Sequence, residues 1–351
     1  MPIELKSLAD VLALDFDDII DVRAPAEYAE DHMPSAISLP VLDDAERARV
    51  GTIYKQVSPF DARKIGAALV SRNAAKHLEG PLAGKPGGWR PLVYCWRGGQ
   101  RSGSFSIILQ QVGWRAETIK GGYKAWRHLV VDSLYDDPFP ARMVVLDGNT
   151  GSAKTDVLKR LPARGVQVID LEGLANHRGS LFGSMGDQPS QKAFEGRLAL
   201  AIAGLDPQKP VVVEAESSKI GNCRLAPRIW REMVVAPRVV IDAPRRARAD
   251  YLTRAYADLT GDVARLDEVI QRLKPLHAAE VIGAWREMAS SGAFADLADS
   301  LMERHYDPRY SKHRARMDVP HTSVEAGDLS ESALDDLADR VAEAAFAALH
   351  R

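Results

Sequence analysis

The chain has 351 residues, with 46 Lys and Arg against 48 Asp and Glu and a formal net charge of −2. That length suits two domains, and the even charge excludes binding to nucleic acid by bulk basicity, leaving only a local basic face for that purpose. Two cysteines, Cys95 and Cys223, exclude a disulfide framework and a cysteine-based zinc site, so the expected metal ligands are none. No window approaches the ~18 unbroken apolar residues of a membrane span. The first residues carry acids inside their apolar stretch and lack a signal-peptide layout, which predicts a cytoplasmic protein whose free thiols survive.

In chain order, DDIIDVR (17–23), AISLP (36–40), LVYC (92–95) and AETIKGG (116–122) read as short strands, and YKAWRHLVVD (123–132) as a helix. Strands alternating with helices predict a parallel sheet. Between residues 41 and 90 lies a partly helical insert ending in the turn-rich GPLAGKPGGWRP. LYDDPFPAR (134–142) is short, polar and carries two prolines, so it is the expected linker between domains at 1–133 and 143–351. A second alternation follows: MVVLDG (143–148), VQVID (166–170), VVVEAES (211–217), RVVIDAP (238–244) and VPHTSVEAG (319–327) read as buried parallel strands. The segment 245–316 is charged and helical in period. The chain ends in an amphipathic helix with Ser330 or Ser332 as the expected N-cap.

The stretch CWRGGQRSGS (95–104) turns from a strand into a helix. Such a turn leaves backbone N–H groups free, and with the helix dipole they form an anion cradle. A thiolate at its mouth is stabilised, and arginines push the same way. Cys95 is therefore the candidate nucleophile. Trp96, Arg97, Gly98, Gly99, Gln100, Arg101 and Ser102 form its loop, the glycines permitting tight curvature and close ligand approach.

These pieces resemble the rhodanese domain. DVRAPAEYAEDHMPSAISLP (21–40) looks like its N-terminal signature through Asp21, Arg23, Glu27, His32, Pro34 and Ala36, and GGYKAWR (121–127) like its C-terminal motif. The resemblance implies that Cys95 carries a persulfide or an analogous selenium adduct. Five residues separate Cys95 from Arg101. Many sulfur-transferring rhodaneses have a loop one residue tighter, and the wider spacing resembles rhodanese-like dual-specificity phosphatases. A larger loop seats a tetrahedral oxyanion, either a phosphate ester or selenophosphate.

DGNTGSAKT (147–155) follows a strand and precedes a helix. Gly148, Asn149, Thr150, Gly151, Ser152, Ala153, Lys154 and Thr155 approximate a P-loop, whose amides wrap phosphates while the lysine adds charge. Ala153 departs from the pattern, which wants glycine. A methyl there is expected to crowd the loop or oppose a positive φ, arguing against ordinary nucleotide hydrolysis. Glu214 or Glu216 stands where a magnesium-holding acid belongs, and equally suits a helix cap or an ion pair. SSKIGNCRLAPRIWR (217–231), with Lys219 and Arg224, reads as a phosphate- or RNA-facing strip or as a solvated basic helix. His177 and Arg178, in LEGLANHRGS, follow a strand and are candidate ligand-holding residues. HYDPRY (305–310) reads as a proline-containing turn packing two tyrosines.

Together, CWRGGQRSGS, DGNTGSAKT, LEGLANHRGS, EAESSKIG and HYDPRY resemble the tRNA 2-selenouridine synthase family. The resemblance implies an α/β chain in which a rhodanese-like domain precedes a P-loop-type domain. It implies a transferase acting on the wobble uridine of tRNA, with geranyl diphosphate and selenophosphate as co-substrates and magnesium as a further candidate. A 2-thiouridine is S-geranylated, and selenium then replaces the geranylated sulfur. The resemblance does not itself assign a ligand to the P-loop-like segment, which suits a diphosphate donor, with Lys154 stabilising the departing diphosphate, or else the tRNA backbone. The alternatives are a rhodanese-type sulfurtransferase, a Cys-x5-Arg phosphatase, a P-loop kinase with a rhodanese accessory, and a non-catalytic RNA-binding scaffold.

Overall fold

The computed structural model describes residues 2–314 and 319–348. The chain forms two compact units, Met1–Pro138 with Pro189–Gly204, and Phe139–Gln188 with Leu205–Arg351. No helix among the described residues is long and apolar enough to cross a membrane.

The first unit is built on a four-stranded, all-parallel sheet: β1 (Asp18–Asp21), β2 (Ile37–Ser38), β3 (Pro91–Tyr94) and β4 (Glu117–Thr118), in the order β2-β1-β3-β4. β3 is buried along its whole length, as its run PLVY requires. The 41–90 insert forms two helices, Asp44–Gln56 and Pro59–Glu79. Their starts carry Asp43 and Ser58, whose side chains accept the N–H groups of Glu46 and Asp61.

The second unit holds a five-stranded parallel sheet: β5 (Met143–Gly148), β6 (Gln167–Ile169), β7 (Val211–Glu214), β10 (Arg238–Asp242) and β11 (His321–Glu325), in the order β11-β10-β5-β7-β6. β5 is central, so the loop after it emerges where connections diverge to either side of the sheet, the place where open α/β sheets hold ligands. The terminal helix Leu334–Ala348 covers one face through Leu337, Val341 and Ala345.

Several expectations need correction. Residues 217–231 are not one basic helix: β8 (Lys219–Ile220) and β9 (Cys223–Arg224) form an antiparallel hairpin, and a helix follows at Pro227–Val235. HYDPRY is no turn. It continues a helical run, π-helical at Met302–Tyr306 and α-helical at Asp307–Arg314, and Pro308, which has no N–H to give the preceding turn, falls where the winding changes from one to the other. Residues 315 and 316, the end of the 245–316 segment, lie outside the described residues. Neither Ser330 nor Ser332 adjoins the last helix, which begins at Leu334. The Ser330 hydroxyl instead donates to Asp328.

The 143–351 segment is not one spatial body either. The helix Gln191–Ala203 joins the first unit, burying Phe194, Leu198 and Ile202. Gly196 is what admits Trp126: a Cβ there would stand 3.1 Å from the indole Cζ2. Glu195 pairs with Arg127 and accepts from the Tyr135 hydroxyl at 2.9 Å.

Candidate active sites

In the first unit, Cys95 directly follows β3 and is 3 % exposed. Its Sγ receives the N–H of Gly99 at 3.3 Å and the hydroxyl of Ser102 at 3.2 Å, from the start of the helix Gln100–Val112. Two donors and a helix N-terminus thus converge on one sulfur. Gly98 and Gly122 both have positive φ, +64° and +56°, and they lie against each other. A Cβ on Gly122 would fall 2.1 Å from the Cys95 carbonyl oxygen and 2.5 Å from the Gly98 nitrogen. The Tyr123 N–H donates to that carbonyl at 2.9 Å, and the Lys124 N–H to the Trp96 carbonyl at 3.1 Å. The motif GGYKAWR thus fixes the loop from beneath.

The signature 21–40 supplies the support. Arg23, 1 % exposed, makes a bidentate pair with Asp21, and its guanidinium lies 3.9 Å from the Tyr123 ring centroid. Trp96 stacks on the same tyrosine at 5.2 Å. Arg97 is exposed. Arg101 does not turn toward the sulfur as a second cation: its Nη1 donates to Glu27 Oε2 at 2.9 Å. Burial raises the Glu27 carboxyl, but the hydrogen bond and charge of Arg101, with Arg47 beyond, bring it below the usual range.

In the second unit Gly148–Thr155, the candidate phosphate cradle, runs from the end of β5 into the helix Lys154–Arg160. Gly148 and Gly151 take φ of +158° and +82°. Ala153 does adopt the left-handed region, φ 58° and ψ 25°, so the methyl does not forbid it. Its side chain is 2 % exposed within the core that holds Val157 and Leu158, and that burial offsets the conformational cost. Lys154 Nζ reaches the Gly148 carbonyl at 2.9 Å and lies 6.0 Å from the Tyr310 ring centroid. Burial opposes its charge, but Tyr310, Glu172 and Glu216 outweigh burial and raise its pKa. Among the described residues, Ser152 Oγ and Asn149 Oδ1 are buried with no hydrogen-bond partner.

Acids line one side of the cradle. Thr155 Oγ1 donates to Glu172 Oε2 at 3.1 Å. Burial and the neighbouring Glu172 carboxylate push Glu216 up to about 8, and burial likewise raises Glu172. Glu214 is fully buried, raised well above the carboxylate range by burial and by Glu172, and its Oε1 accepts the Glu172 N–H at 2.6 Å. Glu214 thus braces the loop, while Glu216 lines the cleft. No group of three His, Cys, Asp or Glu side chains among the described residues is arranged to hold a metal.

Arg178 lines the cleft, pairs with Asp258 at 3.1 Å and lies over the Tyr256 ring at 4.6 Å. His177 does not line it. Its Nδ1 accepts the Gly179 N–H at 3.1 Å, and burial lowers its pKa. Lys219 and Arg224 are exposed on the hairpin and do not line the cleft either.

Sequence reasoning missed several contributors. Arg248, 4 % exposed, donates to the Thr150 carbonyl at 3.0 Å and pairs with Asp307 at 2.7 Å. Arg314 binds Asp147 at 3.1 Å and, with Arg238, holds that buried carboxyl at about 2. Tyr310 faces Lys154. HYDPRY was the available signal, supplying Asp307 and Tyr310 to the cradle.

Beside the cradle lies a second, narrower apolar slot of about 80 Å³. Phe182, Leu266, Phe294, Leu297 and Leu301 line it. Thr150, Ser180, Leu252 and Tyr256 belong to both the slot and the cradle.

A family model described as the tRNA 2-selenouridine synthase AAA domain matches residues 141–265, and a rhodanese-like domain model matches 2–129. The tRNA 2-selenouridine synthase of Aeromonas salmonicida (strain A449) is 38% identical over 346 residues, covering 88% of this chain and 90% of that one. Its namesake from Pseudomonas syringae pv. tomato is 33% identical, with 92% and 97% covered, and that from Hahella chejuensis 37% identical, with 68% and 63% covered.

Proposed function

The chain belongs to the tRNA 2-selenouridine synthase family, and from that premise we propose that it converts a wobble 2-thiouridine of tRNA into 2-selenouridine through an S-geranyl intermediate. The observation that carries the finer reading is the apolar slot sharing a wall with the phosphate cradle. A cradle alone suits any phosphate. A cradle continuous with a slot of Phe and Leu side chains suits a diphosphate that bears a hydrocarbon chain.

In the first half-reaction the thione sulfur bonds to C1 of geranyl diphosphate, the C1–O bond breaks, and the uridine N3 proton is lost. The cradle amides and Lys154 stabilise the departing diphosphate. Thr155 and Glu172, hydrogen-bonded to each other, with Glu216 near Glu172, would hold a magnesium ion accompanying it.

In the second half-reaction selenophosphate is the nucleophile. Its selenium bonds to C2 of the uridine, and the C2–S pair departs with the geranyl thiolate, which takes a proton. Water then cleaves Se–P and releases phosphate. No external reductant is needed. The amides at Gly98–Ser102 would hold the phosphate group, and the Cys95 thiol beside them would give the departing geranyl thiolate its proton.

Nucleoside mass spectrometry tests the reading. Purified protein is incubated with 2-thiouridine tRNA, geranyl diphosphate and selenophosphate. Both modified nucleosides are expected, with the Cys95→Ala variant retaining only the geranylated one. Absence of both from every donor combination would overturn the reading. Lys154→Ala should lose geranyl diphosphate binding and keep tRNA affinity; the reverse pattern would assign the cradle to the tRNA backbone.

A further inference from the structure

The two insert helices have no part in the chemistry above, yet with the Cys95 helix they enclose a cleft of about 520 Å³ within the first unit. Its far wall is the first turns of the helix that caps the Cys95 sulfur, through Gln100, Arg101 and Ser104. Its floor is made by Gly51, Ala62 and Gly66, small residues that open the space between the helices, and by the buried Val70. Its rim carries Arg47, Lys55 and Arg63 beside Tyr54, which is 55% exposed.

The charges are not evenly committed. Glu27 takes both Arg101 and Arg47, at 2.9 and 3.6 Å. Lys55 and Arg63 pair with no carboxylate among the described residues, and no Asp or Glu lines the cleft. A cavity with cations at the rim, an exposed aromatic ring and an apolar floor is matched by a nucleotide: phosphate outside, planar base within. The volume far exceeds what a lone phosphate needs, and lies in the range of small-molecule sites.

We propose that this cleft seats one nucleotide of the single-stranded anticodon loop of tRNA, with its phosphate on Lys55 and Arg63 and its base against Tyr54 and the glycine-alanine floor. A neighbouring nucleotide is thereby brought to the Cys95 loop, one helical turn away. The inference rests on tRNA being the substrate.

The test uses the full chain and a 2-thiouridine anticodon stem-loop RNA, with affinity measured by fluorescence anisotropy across a salt series. Lys55→Gln and Arg63→Gln should each weaken binding three- to tenfold and reduce the salt slope by about 0.7 for each phosphate no longer neutralised. Gly51→Leu fills the cleft from a helical position whose nearest neighbour is the mobile end of Arg47 at 3.8 Å. It should weaken RNA binding with the salt slope unchanged. If wild-type protein does not bind the RNA, the substrate reading itself fails. If wild type binds and all three variants match it in affinity and slope, the cleft proposal is overturned. If the variants keep RNA affinity but need more selenophosphate for the same turnover, the cleft serves a free anion, which equally overturns it.

Discussion

Replacing Gly122 by alanine probes how closely the Cys95 loop is positioned. The new Cβ would stand 2.1 Å from the Cys95 carbonyl oxygen, where real Cβ atoms essentially never approach within 3.0 Å, so the loop must withdraw by at least 0.9 Å. The same carbonyl accepts the Tyr123 N–H, so the displacement passes directly to the cysteine. Holding alanine at φ +56° adds about 1–2 kcal/mol of backbone cost. A misplacement of about 1 Å at a reacting group costs on the order of 100-fold in rate. The expected result is a folded protein, less stable by about 1–2 kcal/mol or more, that still forms the geranylated nucleoside but makes 2-selenouridine about 100-fold more slowly. Gly103→Ala is the control: its Cβ meets nothing within 4 Å, and the helix gains up to about 1 kcal/mol. Selenium transfer by Gly122→Ala within twofold of wild type, in single-turnover mass spectrometry, would refute the claim that Gly122 sets the loop position.

Ala153→Gly relieves the left-handed strain of about 1–2 kcal/mol but forfeits a buried methyl worth about 0.8 and adds about 0.5–1 of chain entropy. Its urea midpoint should lie within about 1 kcal/mol of wild type, with diphosphate affinity kept; a larger change in either would show that Ala153 is more than a tolerated departure. Arg248→Ala leaves Asp307 and the Thr150 carbonyl without their donor and should cost about 3 kcal/mol, the low end for a broken buried pair because Asp307 retains 23% exposure. A loss under 1 kcal/mol in urea unfolding would contradict this. Glu216 keeps its proton in the fold up to about pH 8, whereas the unfolded chain releases it near 4.5. The folded state therefore binds more protons between those values, and this group's contribution to stability falls as pH rises through that window. Glu216→Gln should flatten the decline in thermal midpoint from pH 5 to 8, and an unchanged slope would contradict the assignment.

The strands were legible because runs such as VVVE and RVVID are too apolar and β-branched to belong anywhere but inside a parallel sheet. The two loops were legible because a strand, a glycine-containing turn and a helix start follow within ten residues of one another. What escaped was set at long range. Arg248 and Asp307 meet across 59 residues, and nothing local marks either as a brace for Thr150. The hairpin at Lys219–Ile220 and Cys223–Arg224 has strands of two residues, too short for any period to show, so its basic side chains read as a ligand-facing strip or a solvated helix. Arg101 was expected beside the sulfur from its spacing alone; Glu27, 74 residues away, decides otherwise. The cleft between the insert helices depends on where Gly51 and Gly66 come together, which spacing does not reveal.

The helix Gln191–Ala203 bears on the order of synthesis. Domains usually fold as units while the chain is being made, the first one first. Here the ribosome delivers the entire Cys95 sheet and then residues 139–188, including β5 and the phosphate cradle, before the helix that covers Trp126 appears. A nascent chain that has only reached residue 138 would present that indole and its apolar surroundings without their cover. The unit that holds Cys95 is therefore completed only after the cradle has been made. A shortened protein ending at residue 138 should be prone to aggregate, whereas supplying residues 189–204 in trans should rescue its solubility.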